Sequence, residues 1–198
     1  MKRLTQSGFT LIELLIAIVL ASILTMTSVA FFSSTFNSYI KLSQDSSQLS
    51  QLAQQSQRIA KVLRGLTDIV SLSDNEITVY AYFSPADEFV SQIHYYKNGA
   101  GTILYADVTN MTSNPPTGTL ITSSTKTFKV IDNFHTVSGT SLFTYLDGGG
   151  TAIATPIADQ HIVKGIKITL AVPSTDAAAG QYTTTSLQVA LRNRKTNL

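Results

Sequence analysis

The chain has 198 residues, a formal net charge of +2, 13% charged residues and neither cysteine nor tryptophan. A soluble domain carries about 25% charged residues, and the few basic side chains here are too scattered to neutralise a phosphate backbone, which disfavours a nucleic-acid binder. The lack of cysteine excludes disulfides, thiolate-held zinc or iron–sulfur clusters and thiol catalysis, and His94, His135 and His161 are too widely separated for a paired-histidine metal motif.

The missing charge is concentrated near the N-terminus. After MKRLTQSG, with Lys2 and Arg3, the run Phe9–Phe32 (FTLIELLIAIVLASILTMTSVAFF) holds one charge, Glu13, and the next is Lys41. About 20 apolar residues suffice for a helix to cross roughly 30 Å of hydrocarbon. Lys2 and Arg3 ahead of the run hold the N-terminus in the cytoplasm and send the rest of the chain across the membrane. The run is too long for a secretory signal peptide, and an uncleaved signal anchor is the plain alternative. Glu13 sharpens the choice, because a carboxylate inside a membrane helix costs about 2.5–3.5 kcal/mol and needs a partner. Cutting between Gly8 and Phe9 would create one, the new α-amino group of Phe9, within the same helix or between packed identical helices.

The helical pattern continues beyond the membrane. Leu42, Leu49, Leu52, Ile59, Leu63 and Leu66 form an apolar stripe at helical spacing among serines and glutamines. Arg58, Lys61 and Arg64 suit the negative end of the helix dipole, and Gly65 is a candidate C-cap. A helix from Phe9 to Arg64 would be about 84 Å long. Without flanking charge pairs the stripe is expected to pack on a sheet rather than in a free coiled coil.

Past Leu66 the residues 77–83, 89–97, 102–108, 127–132, 140–146, 162–172 and 182–192 are rich in Val, Ile, Thr, Tyr and Phe, several with alternating polarity. KNGAG, SNPPTG, LDGGG and AAAG separate them as turns. The expected fold class is α+β, a long N-terminal helix (membrane half plus amphipathic half) packed on an antiparallel β-sheet. Ser and Thr make up 48 of the residues, a polar surface of low charge suited to close subunit packing or extracellular exposure.

Gly8-Phe9-Thr10-Leu11-Ile12-Glu13-Leu14-Leu15 resembles the prepilin leader-cleavage motif of type IV pilins and type II secretion pseudopilins. The resemblance implies that a prepilin peptidase cuts between Gly8 and Phe9 and methylates the amine of Phe9, and that Glu13 then guides assembly into a helical filament. It implies a cleaved leader at 1–8, a transmembrane and polymerisation helix at 9–32, its amphipathic continuation at 33–66 and an extracytoplasmic β-rich domain at 67–198. The helix would meet other subunits through Phe9, Leu11, Ile12, Leu14, Leu15, Ile16, Ile18, Val19 and Leu20. Implied partners are the peptidase, other pilin or pseudopilin subunits and the membrane assembly machinery. The chain would pass the inner membrane once and end in an extracellular or periplasmic filament. Many members of the family interrupt the helix with a proline where this chain has Ala30.

A looser likeness lies in the body. Leu142-Phe143-Thr144-Tyr145-Leu146-Asp147-Gly148-Gly149-Gly150, followed by Val189-Ala190-Leu191-Arg192-Asn193-Arg194, is similar to the J-type minor pseudopilins, with Leu146 in place of a second aromatic. That implies a minor subunit at the filament tip, the competing reading being a major pilin. No cofactor and no catalysis are expected. Asp147 is a weak calcium candidate but reads better as a hairpin residue, and Asp87-Glu88 reads as a solvated turn. A monomeric, membrane-anchored binding domain is the alternative from another class, and an anchored hydrolase would need acidic residues gathered with a histidine. Removing residues 1–8 takes away Lys2 and Arg3, leaving 12 basic and 12 acidic side chains, a formal balance of zero.

Overall fold

We analysed a computed structural model of the chain, which describes residues 9–132, 134–136, 139–173 and 182–192. Gly8 and the leader, the AAAG turn, and Asn193 and Arg194 of the J-type likeness lie outside the described residues. The first element is a single helix, α1, Leu11–Arg64, of 54 residues. By contact density the chain divides into two units, one reaching Gln44 and one starting at Asp45.

The first unit is helix alone, and its large apolar side chains from Leu11 to Leu42 are exposed. Three of their polar neighbours bond back to the helix itself. Ser22 Oγ donates to the Val19 carbonyl at 2.7 Å, Thr25 Oγ1 to Ala21 at 2.8 Å and Thr27 Oγ1 to Leu24 at 3.0 Å. A hydroxyl that bonds back to its own helix can sit in lipid without an unsatisfied donor.

In the second unit the outer part of α1 packs on two antiparallel sheets. Five strands form a meander in the order β1 (Asp68–Leu72), β2 (Glu76–Ala81), β3 (Ser91–Lys97), β4 (Leu104–Asn110) and β5 (Lys126–Ile131). A second sheet is ordered β7 (Ala152–Ile153), β6 (Phe143–Leu146), β8 (Gly165–Pro173), β9 (Tyr182–Ala190). The sequence predicts one sheet and misses β1 and β7. A register shift between Ile69 and Ser71 breaks the alternation of β1, and β7 is only 2 residues long, too short for alternation to register.

The core follows from period-two burial meeting a helical stripe. Ile77, Val79 and Ala81 of β2 are buried while Thr78 and Tyr80 are not, as the alternation requires. They join Ile93, Tyr95, Ala106 and Ile131 of the first sheet and Phe143, Tyr145, Ile166 and Ile168 of the second. From α1 come Leu52, Ile59, Ala60, Val62 and Leu63, with Leu66 just beyond. The predicted stripe therefore splits. Leu52, Ile59, Leu63 and Leu66 are core and Leu49 is partly buried, but Leu42 is exposed and belongs to the first unit. Gly65 does not cap the helix in a left-handed conformation. The last turn instead tightens, Gly65 N donating to the Val62 carbonyl and Leu66 N to Leu63, which leads straight into β1.

Two of the expected turns are built on aspartate or asparagine with glycine. Between β3 and β4, Asn98 Oδ1 accepts from the amides of Thr102 (2.8 Å) and Ile103 (3.0 Å), and Gly101 takes φ +68°. Between β6 and β7, Asp147 Oδ1 accepts from Gly149 N and Thr151 N, both at 2.8 Å, with Gly150 at φ +83°.

The second sheet is tied to the β1–β2 turn. Tyr145 Oη donates to the Ser73 carbonyl at 2.6 Å, Phe143 N to the Asp74 carbonyl at 3.0 Å and Thr155 Oγ1 to Asp74 Oδ1 at 2.6 Å. Burial pushes the Tyr145 phenol well above its ordinary value, so it stays a donor at every physiological pH. Tyr145→Phe keeps the ring and strands the Ser73 carbonyl. It is expected to cost about 1–3 kcal/mol, read as a lower denaturation midpoint at an unchanged denaturant slope.

Candidate assembly site at the helix N-terminus

Helix α1 begins with Thr10 immediately ahead of its first residue, Leu11. Thr10 Oγ1 accepts from the Glu13 amide at 3.3 Å, while Glu13 Oε2 accepts from the Thr10 amide and from Thr10 Oγ1, each at 2.9 Å. This is a reciprocal capping box, T-x-x-E, in which each side chain satisfies the other's backbone donor at a helix start. A carboxylate there also meets the positive end of the helix dipole.

The sequence singles out Glu13 as a carboxylate in need of a partner, and the structure gives it a local one. The partner is Thr10, which the sequence reading passes over although the spacing is visible in Phe9-Thr10-Leu11-Ile12-Glu13. Phe9, one residue upstream, is 84% exposed. Leu11, Ile12, Leu14, Leu15, Ile16, Ile18, Val19 and Leu20 are all exposed around the same helical start. The helix is long and apolar enough to cross a membrane by length and composition. An apolar surface of this kind on all sides of a helix needs lipid or other helices around it.

The body residues weighed for chemistry remain apart. Asp147 Oδ1 is taken up by its own hairpin. Asp87 Oδ2 accepts from Ser84 N at 2.8 Å, so the acidic pair closes a turn, and the roughly 160 Å³ hollow beside it is lined by Asp87, Glu88, Phe89, Ser91, Asn110 and Met111, without a histidine. His94 sits 3.3 Å from Glu76 Oε2, His135 lies against Tyr182, and His161 lies in a 3₁₀ turn capped by Asp159. Among the described residues no three metal-ligating side chains come together. Tyr95 is buried in the core.

Residues 3–29 match the prokaryotic N-terminal methylation motif. No curated protein matches the chain. The match spans most of the basic leader and most of the apolar run, the segment that holds Gly8, Phe9 and Glu13. An apolar helix of this length carrying the motif fits membrane anchoring.

Proposed function

We propose that the chain is a filament subunit of the type IV pilus or pseudopilus kind. The observation that carries the reading is the coincidence, at one helix start, of the methylation motif, a capped Glu13 and an exposed apolar helix of membrane-crossing length. In this reading residues 1–8 are a leader removed between Gly8 and Phe9, and Phe9 is N-methylated. The apolar half of α1 first anchors the chain in the inner membrane with its N-terminus in the cytoplasm. It then exchanges lipid for the helices of other subunits, drawn out by the membrane assembly machinery. Glu13 sets the axial register by meeting the amine of a neighbouring subunit's first residue. The β-rich body stays outside and forms the filament surface.

Within that class the likeness over Leu142–Gly150 favours a minor, tip-initiating subunit over a major pilin. In this chain Leu142, Phe143, Tyr145 and Leu146 of that segment are core residues. Mass spectrometry of the protein from its native cells should find N-methylated Phe9 as the first residue. A first residue elsewhere overturns the reading. Labelling of sheared filaments should mark ends rather than lengths for a tip subunit.

A further inference from the structure

The face of the five-stranded sheet turned away from the core carries a row of half-buried rings. His94 lies against Tyr96 with ring centres 4.9 Å apart, and Tyr96 against Tyr105 across β3–β4 at 5.8 Å. Their strand neighbours Ile93, Tyr95, Leu104 and Ala106 point the other way and are buried. The rings are thus outside the core and partly exposed, with Tyr96 between His94 and Tyr105.

Two carboxylates flank the row. Glu76 stands beside His94, and Asp107 Oδ1 accepts from Tyr96 Oη at 3.4 Å and Thr127 Oγ1 at 2.5 Å. Lys129, on the neighbouring strand, is neutralised by Asp132 at 2.6 Å. Glu76 and Asp107 thus bring two carboxylates to the row, although the chain beyond the proposed leader balances to zero. Burial, and next the charge of Asp107, push the Tyr96 phenol above its ordinary value, so its hydroxyl remains a donor to Asp107. Rings beside carboxylates on an open sheet are what guanidinium and ammonium groups recognise, by stacking and by charge-assisted hydrogen bonds together.

We propose that this face, centred on Tyr96, Tyr105 and Asp107 and bounded by Glu76, docks a segment of another protein bearing closely spaced arginines or lysines. Charge complementarity selects that occupant, and the stacking rings favour arginine over lysine. The contact does not depend on the filament reading.

The test uses full-length protein in neutral detergent with fluorescent octa-arginine, octa-lysine and octa-glutamate peptides at low salt. Octa-arginine should bind more tightly than octa-lysine, and octa-glutamate not at all. The double variant Glu76→Gln/Asp107→Asn, which keeps hydrogen-bonding side chains in place, should weaken octa-arginine binding about tenfold. Tyr105→Leu should remove the preference for arginine over lysine, and Glu88→Gln, on an exposed turn elsewhere, should change nothing. Equal binding of octa-glutamate, an equal loss with Glu88→Gln, or no loss with the double variant each overturns the proposal. So does self-association of the wild-type chain that the double variant abolishes, because the occupant would then be a second copy.

Discussion

Glu13→Ala is expected to remove the chain from filaments while leaving its amount in the membrane close to wild type. Deleting the carboxylate does not hinder insertion, because a charge in a membrane helix is a cost to it. The helix start survives, because Thr10 Oγ1 still accepts the amide at this position. The core is drawn from Leu52 onward, so the fold of the body should not register the change. What is lost is the charge that a neighbour's amine would meet. Glu13→Gln separates the two roles of this residue. Glutamine also completes a capping box, so a helix that only needed its cap would assemble normally in this variant. Under the proposed role Glu13→Gln should fail almost as badly as Glu13→Ala. Thr10→Val does the reverse, weakening the cap while sparing the charge, and should assemble. The measurement is the share of the chain recovered in sheared filaments against the share in membranes. Normal recovery of Glu13→Ala in filaments would remove the assembly role.

The capping box also shows how much of the site was legible. Glu13 stands out because it is the only charge between Arg3 and Lys41, and a charge within an apolar run demands explanation. Thr10 does not stand out, since threonine is common in this chain and its contribution depends on where the helix begins. Only the backbone start at Leu11 turns T-x-x-E into a pair of reciprocal bonds. Thr10 hydrogen-bonds the carboxylate in a lone subunit but brings no positive charge, so the charge is what a neighbour's amine would meet.

The same contrast runs through the body. The strands with period-two alternation, such as Ile77, Val79 and Ala81, were readable because burial follows the pleat. The partition into two sheets was not, because nothing local records which strands stop pairing. It rests on long-range bonds such as Tyr145 to Ser73, 72 residues apart. Gly65 misled for a related reason. Glycine after a helix is compatible with a left-handed cap, but here the chain needs a tight turn into β1, and Thr67 N donates to the Tyr80 carbonyl to start that pairing.

Leu63→Ala is expected to be the most damaging single truncation in the helix stripe. Leu63 is fully buried, as are Ile59 and Leu66 on the same face. Its side chain lies in the cluster that joins α1 to residues of both sheets. Removing the isobutyl group forfeits its transfer free energy and leaves a cavity that two sheets and a helix cannot all collapse to fill. The cost should be about 2–5 kcal/mol, which for a body of this size lowers the melting temperature by roughly 5–15 °C. Leu42→Ala is the matched control, because the same residue type in the same stripe is there 69% exposed. It should leave the melting of the body within about 1 °C. With no tryptophan in the chain, tyrosine fluorescence and near-ultraviolet dichroism report on the body, where all but Tyr39 of the tyrosines reside. The helical signal at shorter wavelengths would mix in the membrane half. If Leu63→Ala melted like Leu42→Ala, the outer half of α1 would not be part of the cooperative core. The body would then fold as sheets alone, and the stripe from Leu52 to Leu66 would have to be covered by other subunits instead.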